Sequence, residues 1–333
     1  MKKLGFLFLV VLQVACNSQV TEKVNGVSFV ASRESAAQEH AEELLKLSAN
    51  YAAVMPFGFI RDMDSPEIIF DTERQWFGET RNGSKQYIEL LKSNGIKVML
   101  KPQIWIARGA FTGNLKMASE PQWQALEASY EKFILNYATL AAETQVPMFC
   151  IGTELAQFIH HRPDFWKQLI VKIKTAYKGK LTYAANWDEF AKTPFWNELD
   201  YIGIDAYFPL SDEKTPTLER LRAEWKSHKT EIASLSKKVG RPILFTEYGY
   251  RSSDYTTLKP WVADREITSI NLEGQANATR ALLEEFWSED WFAGGFVWKW
   301  FINHAKSGGA QDNQFTPQNK PAEHVLRSFY QQH

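Results

Sequence analysis

The chain has only two cysteines among 333 residues, Cys16 and Cys150, so it cannot be a disulfide scaffold. It has almost no charge imbalance: 38 Lys and Arg against 39 Asp and Glu give a formal net charge of -1. With no basic stripe, that balance argues against a nucleic-acid partner. Past the N-terminus, no stretch approaches the roughly 18 uninterrupted apolar residues of a membrane span. No Gly-rich dinucleotide fingerprint follows the first strand-like segment, which counts against a Rossmann fold. There is no HExxH, no Cys/His cluster and no Gly-x-Ser-x-Gly elbow, so neither a metal centre, a cofactor site nor a serine esterase is expected.

The sequence is rich instead in apolar and aromatic residues, at 44% and 14% of the chain, enough to bury one large core. Twelve of these residues are Trp. Core filling accounts for roughly half of such a set; the remainder suits sugar stacking, because an indole face covers the C–H face of a pyranose.

The N-terminus reads as a targeting segment. Lys2 and Lys3 precede an apolar run, Leu4 to Ala15, which ends at Cys16. This resembles a bacterial lipoprotein signal, with Gln13 where the usual Leu stands. The expected organisation is a signal peptide over 1–15, a polar tether over 16–24 and a catalytic domain over 25–333. Lipidation of Cys16 implies export and anchoring in a bacterial envelope, on the periplasmic face or the cell surface. Ordinary secretion with a free Cys16 is the other reading. Cys150 lies in an apolar run and reads as an inert core thiol.

Eight short β-branched or aromatic segments recur along the chain: Gly26–Ala31, Tyr51–Phe57, Lys97–Ile104, Pro147–Gly152, Leu181–Asn186, Tyr201–Tyr207, Pro242–Thr246 and Gly294–Trp300. Helical patterns alternate with them, at 35–48, 84–93, 121–143, 163–174, 217–237, 272–288 and 320–331. Such alternation implies parallel strands with crossovers. Eight repeats predict an α/β fold of one closed (β/α)8 TIM barrel, most simply a monomer. Active sites of barrels gather at the C-terminal ends of the strands. Two such ends carry Glu: Glu154 after the fourth segment and Glu247 after the seventh. A carboxylate continuing a buried strand is costly unless paired or functional, and two can meet across a barrel mouth. Alternation along the third strand puts Lys101 and Trp105 on one face as candidate substrate contacts, with simple rim packing as the bland reading.

The segments Ile151-Gly152-Thr153-Glu154-Leu155, Phe245-Thr246-Glu247-Tyr248-Gly249 and Lys101-Pro102-Gln103-Ile104-Trp105 resemble glycoside hydrolase family 113. So does Phe315 to Ala322, before the last helix. That resemblance implies a retaining β-1,4-mannanase of the large (β/α)8 clan, acting on a polysaccharide or oligosaccharide without a cofactor. Glu154 would be acid/base and Glu247 nucleophile. It further implies that Tyr207 holds the nucleophile, that Trp298 or Trp300 underlies the reacting sugar, and that Tyr248 belongs to the substrate site. Most clan members carry Asn where this chain has Thr153; Asn186 is the candidate to bind the sugar 2-hydroxyl in its place. Asp205 shares a face with Tyr207, facing substrate or pairing with a barrel Lys or Arg. Another retaining β-glycosidase, or a glycan-binding lipoprotein without catalysis, are the alternatives. His160 and His161 are adjacent and diverge, so they read as a surface loop rather than a metal pair.

Overall fold

The computed structural model describes residues 22–262 and 266–333. Cys16 and the signal and tether segments before residue 22 lie outside the described residues. Ten strands form: β1 (Val24–Phe29), β2 (Tyr51–Val54), β3 (Phe57–Ile60), β4 (Lys97–Leu100), β5 (Gln103–Ile106), β6 (Met148–Thr153), β7 (Lys180–Asn186), β8 (Ile202–Asp205), β9 (Ile243–Tyr248) and β10 (Phe292–Trp300). Eight of them close into a parallel barrel in the order β1-β10-β9-β8-β7-β6-β4-β2. The predicted fold is the observed one.

Two predicted strands are each divided. The second segment breaks at Met55-Pro56 and the third at Lys101-Pro102, and the continuations pair as a separate two-stranded rim sheet, β3 with β5. Proline has no N–H to give a ladder, so these are natural points for a strand to leave the barrel. The rim sheet lifts Trp105 above the barrel mouth.

The helices are α1 (Gln38–Lys46), α2 (Arg81–Ser93), α3 (Glu120–Glu143), α4 (Ala156–His161), α5 (Pro163–Ala176), α6 (Leu218–Val239), α7 (Leu272–Phe286) and α8 (Pro321–Tyr330). Their ends follow local chemistry. Thr80, Thr217 and Asn271 accept backbone N–H bonds at the starts of α2, α6 and α7. Gly240 closes α6 at φ +70°, where a side chain would be strained. Between β7 and β8 the described chain makes only two 3-10 turns, so that crossover lacks an α-helix. His160 and His161 end the short helix α4 rather than lying in a loop.

Apolar side chains separate into two clusters. A small one fills the lumen: Val24, Ala53, Met99, Met148, Cys150, Ala184, Leu244 and Phe296. The larger lies between strands and helices. Burial pushes the Cys150 thiol up to about 11, away from thiolate chemistry.

Candidate active site

Lumen-facing side chains become polar as the strands reach the C-terminal mouth. Met99 points into the lumen from β4; two residues on, Lys101 does the same, with no exposed surface. Ile204 packs outward from β8, so Asp205 points in, also fully buried. On β9 the register against β8 shifts between Ile204 and Asp205, so one extra residue sits opposite Asp205. Phe245 and Tyr248 pack outward while Thr246 and Glu247 both serve the interior. A bulge of this kind re-aims a side chain at a strand end. Gly249 then lets the chain pass close to β10, where a Cβ would lie 2.4 Å from the Trp298 carbonyl oxygen.

Glu247 is 6% exposed and held by three donors. Lys101 Nζ donates to Oε1 at 2.5 Å, Gln103 Nε2 to the same oxygen at 3.0 Å, and the Tyr207 hydroxyl to Oε2 at 2.8 Å. Lys101 Nζ also reaches Asp205 Oδ1 at 3.4 Å, and the Thr246 hydroxyl donates to that oxygen at 2.7 Å. Burial disfavours the Lys101 ammonium, but the Asp205 and Glu247 carboxylates outweigh it and hold the pKa raised. Burial, with the Glu247 charge, lifts Asp205 to about 7. Burial and the same two carboxylates also raise the Tyr207 phenol, so it stays a donor.

Glu154 differs in every respect. It follows β6 at φ +50°, a left-handed conformation that costs a non-glycine residue on the order of 1 kcal/mol. Its amide is tied to the Ala184 carbonyl at 2.8 Å. Its carboxyl is half-buried and accepts no hydrogen bond from any described residue. Burial, then the charges of Asp205 and Glu247, raise its pKa well above the ordinary carboxylate range. Such a group keeps its proton near neutrality and can give it away.

Both carboxyls open into one cleft of two lobes, enclosing about 1300 Å³ and about 1220 Å³ of space open to solvent. Glu154, Glu247, Phe111, Trp261 and Trp298 line both lobes. One lobe continues along Asn186, Trp187, Asp188 and Tyr207, the other along Phe57, Trp105 and Lys299. This exceeds a drug-sized site and suits an oligomer. Trp261 stacks on Trp187 with ring centres 5.1 Å apart.

The structure thus gathers Glu154, Glu247, Asn186, Tyr207, Trp105 and Trp298 around one cleft. Asn186 accepts the Trp187 N–H on Oδ1, and its Nδ2 makes no hydrogen bond among the described residues. Three expected substrate contacts lie elsewhere. Lys101 and Asp205 are sealed beneath Glu247 and touch it or each other; Asp205 takes the alternative of pairing with a barrel lysine. Tyr248 packs outward against Trp287, its hydroxyl 2.6 Å from that of Tyr330. Of the two β10 tryptophans, Trp298 enters the cleft and Trp300 is buried outside the barrel. The register between β1 and β10 shifts between Val27 and Phe29, and the extra residue on β10 reverses the alternation. Gln103 was legible on the face shared by Lys101 and Trp105. Trp261 and Phe111 carry no local signal beyond being aromatic in loops.

Among the described residues, no group of three or more His, Cys, Asp and Glu side chains could hold a metal. No helix is long and apolar enough to cross a membrane, again among the described residues.

A parallel barrel whose mouth sets two carboxyls, one multiply bonded and one without donors among the described residues, in an aromatic cleft points to the glycoside hydrolase class. The sequence pattern of Glycoside Hydrolase Family 113 matches residues 28–320, and the chain belongs to that family. Solved structures agree in fold. A GH113 β-1,4-mannanase is similar at TM-score 0.81 and 24% identity, over 94% of this chain and all 100% of that one. The GH113 β-mannanase AaManA from Alicyclobacillus acidocaldarius, in complex with ManMIm, is similar at TM-score 0.81 and 22% identity, over 93% and 97%. A Faecalibacterium prausnitzii β-glucuronidase shares the barrel at TM-score 0.63 and 15% identity, over 93% of this chain and 49% of that one. No curated protein matches the chain by sequence.

Proposed function

We propose that this protein is a retaining glycoside hydrolase that cleaves β-1,4-mannosidic linkages in mannan, glucomannan or mannooligosaccharides, with Glu247 as nucleophile and Glu154 as acid/base. The observation that carries the roles is the asymmetry of the two carboxyls: among the described residues, three donors on Glu247 and none on Glu154. A nucleophile must be ionised and fixed in direction; an acid must hold a proton and then release it. In the first step a Glu247 oxygen bonds the anomeric carbon as the glycosidic C–O bond breaks, and the leaving oxygen takes the Glu154 proton. In the second, water bonds the anomeric carbon, its proton passes to Glu154, and Glu247 departs as a carboxylate. Retention of this kind needs the two carboxyls about 5–5.5 Å apart.

Mannan is supported by family membership and by neighbours described as a β-1,4-mannanase and a β-mannanase. Asn186, with free amide donors at the mouth, is the group proposed for the axial 2-hydroxyl. Endo-attack is supported by the cleft continuing on both sides of the carboxyl pair, with Trp105 half exposed along one lobe, Trp187 along the other and Trp261 lining both. Purified protein should release oligosaccharides from mannan in a polysaccharide panel. NMR of the first products from a β-linked mannooligosaccharide should show the β-anomer. An α-anomer first would mean inversion and sink the mechanism. Mannose or mannobiose released only from one chain end would close the open-cleft reading. Hydrolysis of glucan alone would make it another β-glycosidase, and binding without hydrolysis a glycan receptor. The same proposal extends to an envelope anchor at Cys16, supported by Lys2, Lys3 and the apolar run before it. Cys16→Ser should abolish membrane partitioning; an anchored, normally processed variant rejects it.

A further inference from the structure

Beneath the cleft, two buried carboxylates share one buried ammonium. Lys101, Asp205 and Glu247 come from different barrel strands or their ends, and the first two have no exposed surface. Lys101 Nζ is tight on Glu247 at 2.5 Å and loose on Asp205 at 3.4 Å. Asp205 keeps its other oxygen, Oδ2, buried and without a hydrogen-bond partner among the described residues. An unpaired carboxylate oxygen in a dry interior is costly, and a complete set of partners is the rule. The arrangement is therefore one negative charge in surplus among the sealed groups. Other groups facing the cluster do not remove the surplus. Burial and negative neighbours push Glu154 toward its protonated form, and Tyr207 and the Cys150 thiol are raised by burial; Lys299 feels the Glu247 charge but is lowered by burial, lies over the Trp298 and Phe301 rings and forms no ion pair with either acid.

The surplus disappears when Glu247 becomes an ester. Its carboxylate charge is then consumed in the bond to the anomeric carbon, and one ammonium faces one carboxylate. Resting on the roles assigned above, we propose that Asp205 is a positioning residue for Lys101. The ammonium is shared while Glu247 is free and belongs to Asp205 in the covalent intermediate. The shared cation leaves Glu247 less fully neutralised, hence a better nucleophile, and gives the intermediate a matched buried ion pair. When water later releases Glu247, the ammonium is beside the departing carboxylate and returns to it. Burial first, then the Glu247 charge, lift Asp205 to about 7 while Lys101 pulls it the other way, so the surplus negative charge is present above that pH.

The test is the pH profile of kcat/KM on mannopentaose for the wild type, Asp205→Asn and Lys101→Gln, with melting curves to verify folding. Asp205→Asn keeps the shape and removes the competing charge. Its acid limb moves to lower pH and kcat/KM falls about ten- to hundredfold, with KM little changed. Lys101→Gln moves the acid limb to higher pH. Opposite displacements are the signature, since a merely structural role lowers activity without moving the limb. Activity lost in Asp205→Asn with the limb in its wild-type place overturns the inference, as does wild-type activity in that variant. Should Asp205→Asn not fold, the upward displacement in Lys101→Gln decides, and an unmoved limb there overturns the inference equally. Glu247→Gln separates the two readings. If it stays active, the assignment of the nucleophile has failed. If it is inactive while the limbs stay put, only the present inference has.

Discussion

The two carboxyls at the barrel mouth lie in one cleft, yet the chain treats them oppositely. Around Glu247 it spends three donors from two other strands or their continuations and a bulge in β9. Around Glu154 it spends none among the described residues, and instead turns the backbone into the left-handed region and leaves the carboxyl near the negative charges of Asp205, Glu247 and Asp188. Identical side chains meet different surroundings, and surroundings, not residue type, set the balance between charged and neutral forms. A group to be held as an anion needs donors. A group to be held as an acid needs their absence.

Replacing either carboxyl tests the comparison with the largest effect. Glu247→Gln and Glu154→Gln should each lower turnover on mannooligosaccharide by several orders of magnitude. On a dinitrophenyl β-glycoside, whose leaving group departs unprotonated, only Glu154→Gln should retain a rapid burst of phenolate. Equal bursts, or none in both, would erase the difference between the two roles. Next comes the donor set. Tyr207→Phe strips Oε2 of its partner and should cost about 1.5–3 kcal/mol in kcat/KM, roughly ten- to hundredfold. Gln103→Met leaves Lys101 on the shared oxygen and should cost about tenfold or less. A larger loss for Gln103→Met than for Tyr207→Phe in steady-state assays would reverse the ranking of the two oxygens.

Stability carries a smaller sign of the same asymmetry. The folded chain holds the Glu154 proton well above 4.5, where the unfolded chain has released it. The folded state therefore binds more protons, and stability attached to this group is present below about 4.5 and lost as pH rises through its raised value. Glu154→Gln should match the wild-type melting temperature near pH 4.5 and exceed it increasingly toward pH 8. A constant gap across that range would mean that Glu154 is not held as an acid. Smallest is a substitution on the outer side of β9. Tyr248→Phe breaks the 2.6 Å contact with Tyr330 and should cost about 1 kcal/mol of stability in chemical denaturation. Activity should be unchanged, because Tyr248 faces helices while its neighbour Glu247 faces the cleft.

Much of this was legible along the chain. β-branched and aromatic segments alternating with amphipathic ones require parallel strands, and eight such repeats close. Glu154 and Glu247 stand out because each continues a buried strand into a loop. Alternation read Lys101 and Trp105 as sharing a face; Lys101 is sealed in the lumen, Trp105 lines the cleft from the rim sheet, and Gln103, of the same parity, is the residue between them that reaches Glu247. Three outcomes were not available from the linear pattern. Pro56 and Pro102 divide strands that hydrophobicity alone runs together. An extra residue on β10 sends Trp298 inward and Trp300 outward, although their spacing predicts a shared side. Lys101, read as touching substrate, is sealed beneath the nucleophile.

Local features follow from the linear chain: where strands begin, which face each residue takes while the ladder is regular, and which strand ends carry acid. Those follow from the two-residue repeat of an extended chain and from the cost of burying polar groups. Partnership between distant side chains comes from barrel closure. Lys101, Asp205 and Glu247 are up to 146 residues apart in sequence. They meet because closure of the barrel and the bulges in its ladders bring particular strand ends to one depth. Whether a buried charge faces substrate or another charge depends on that depth, which no single strand encodes.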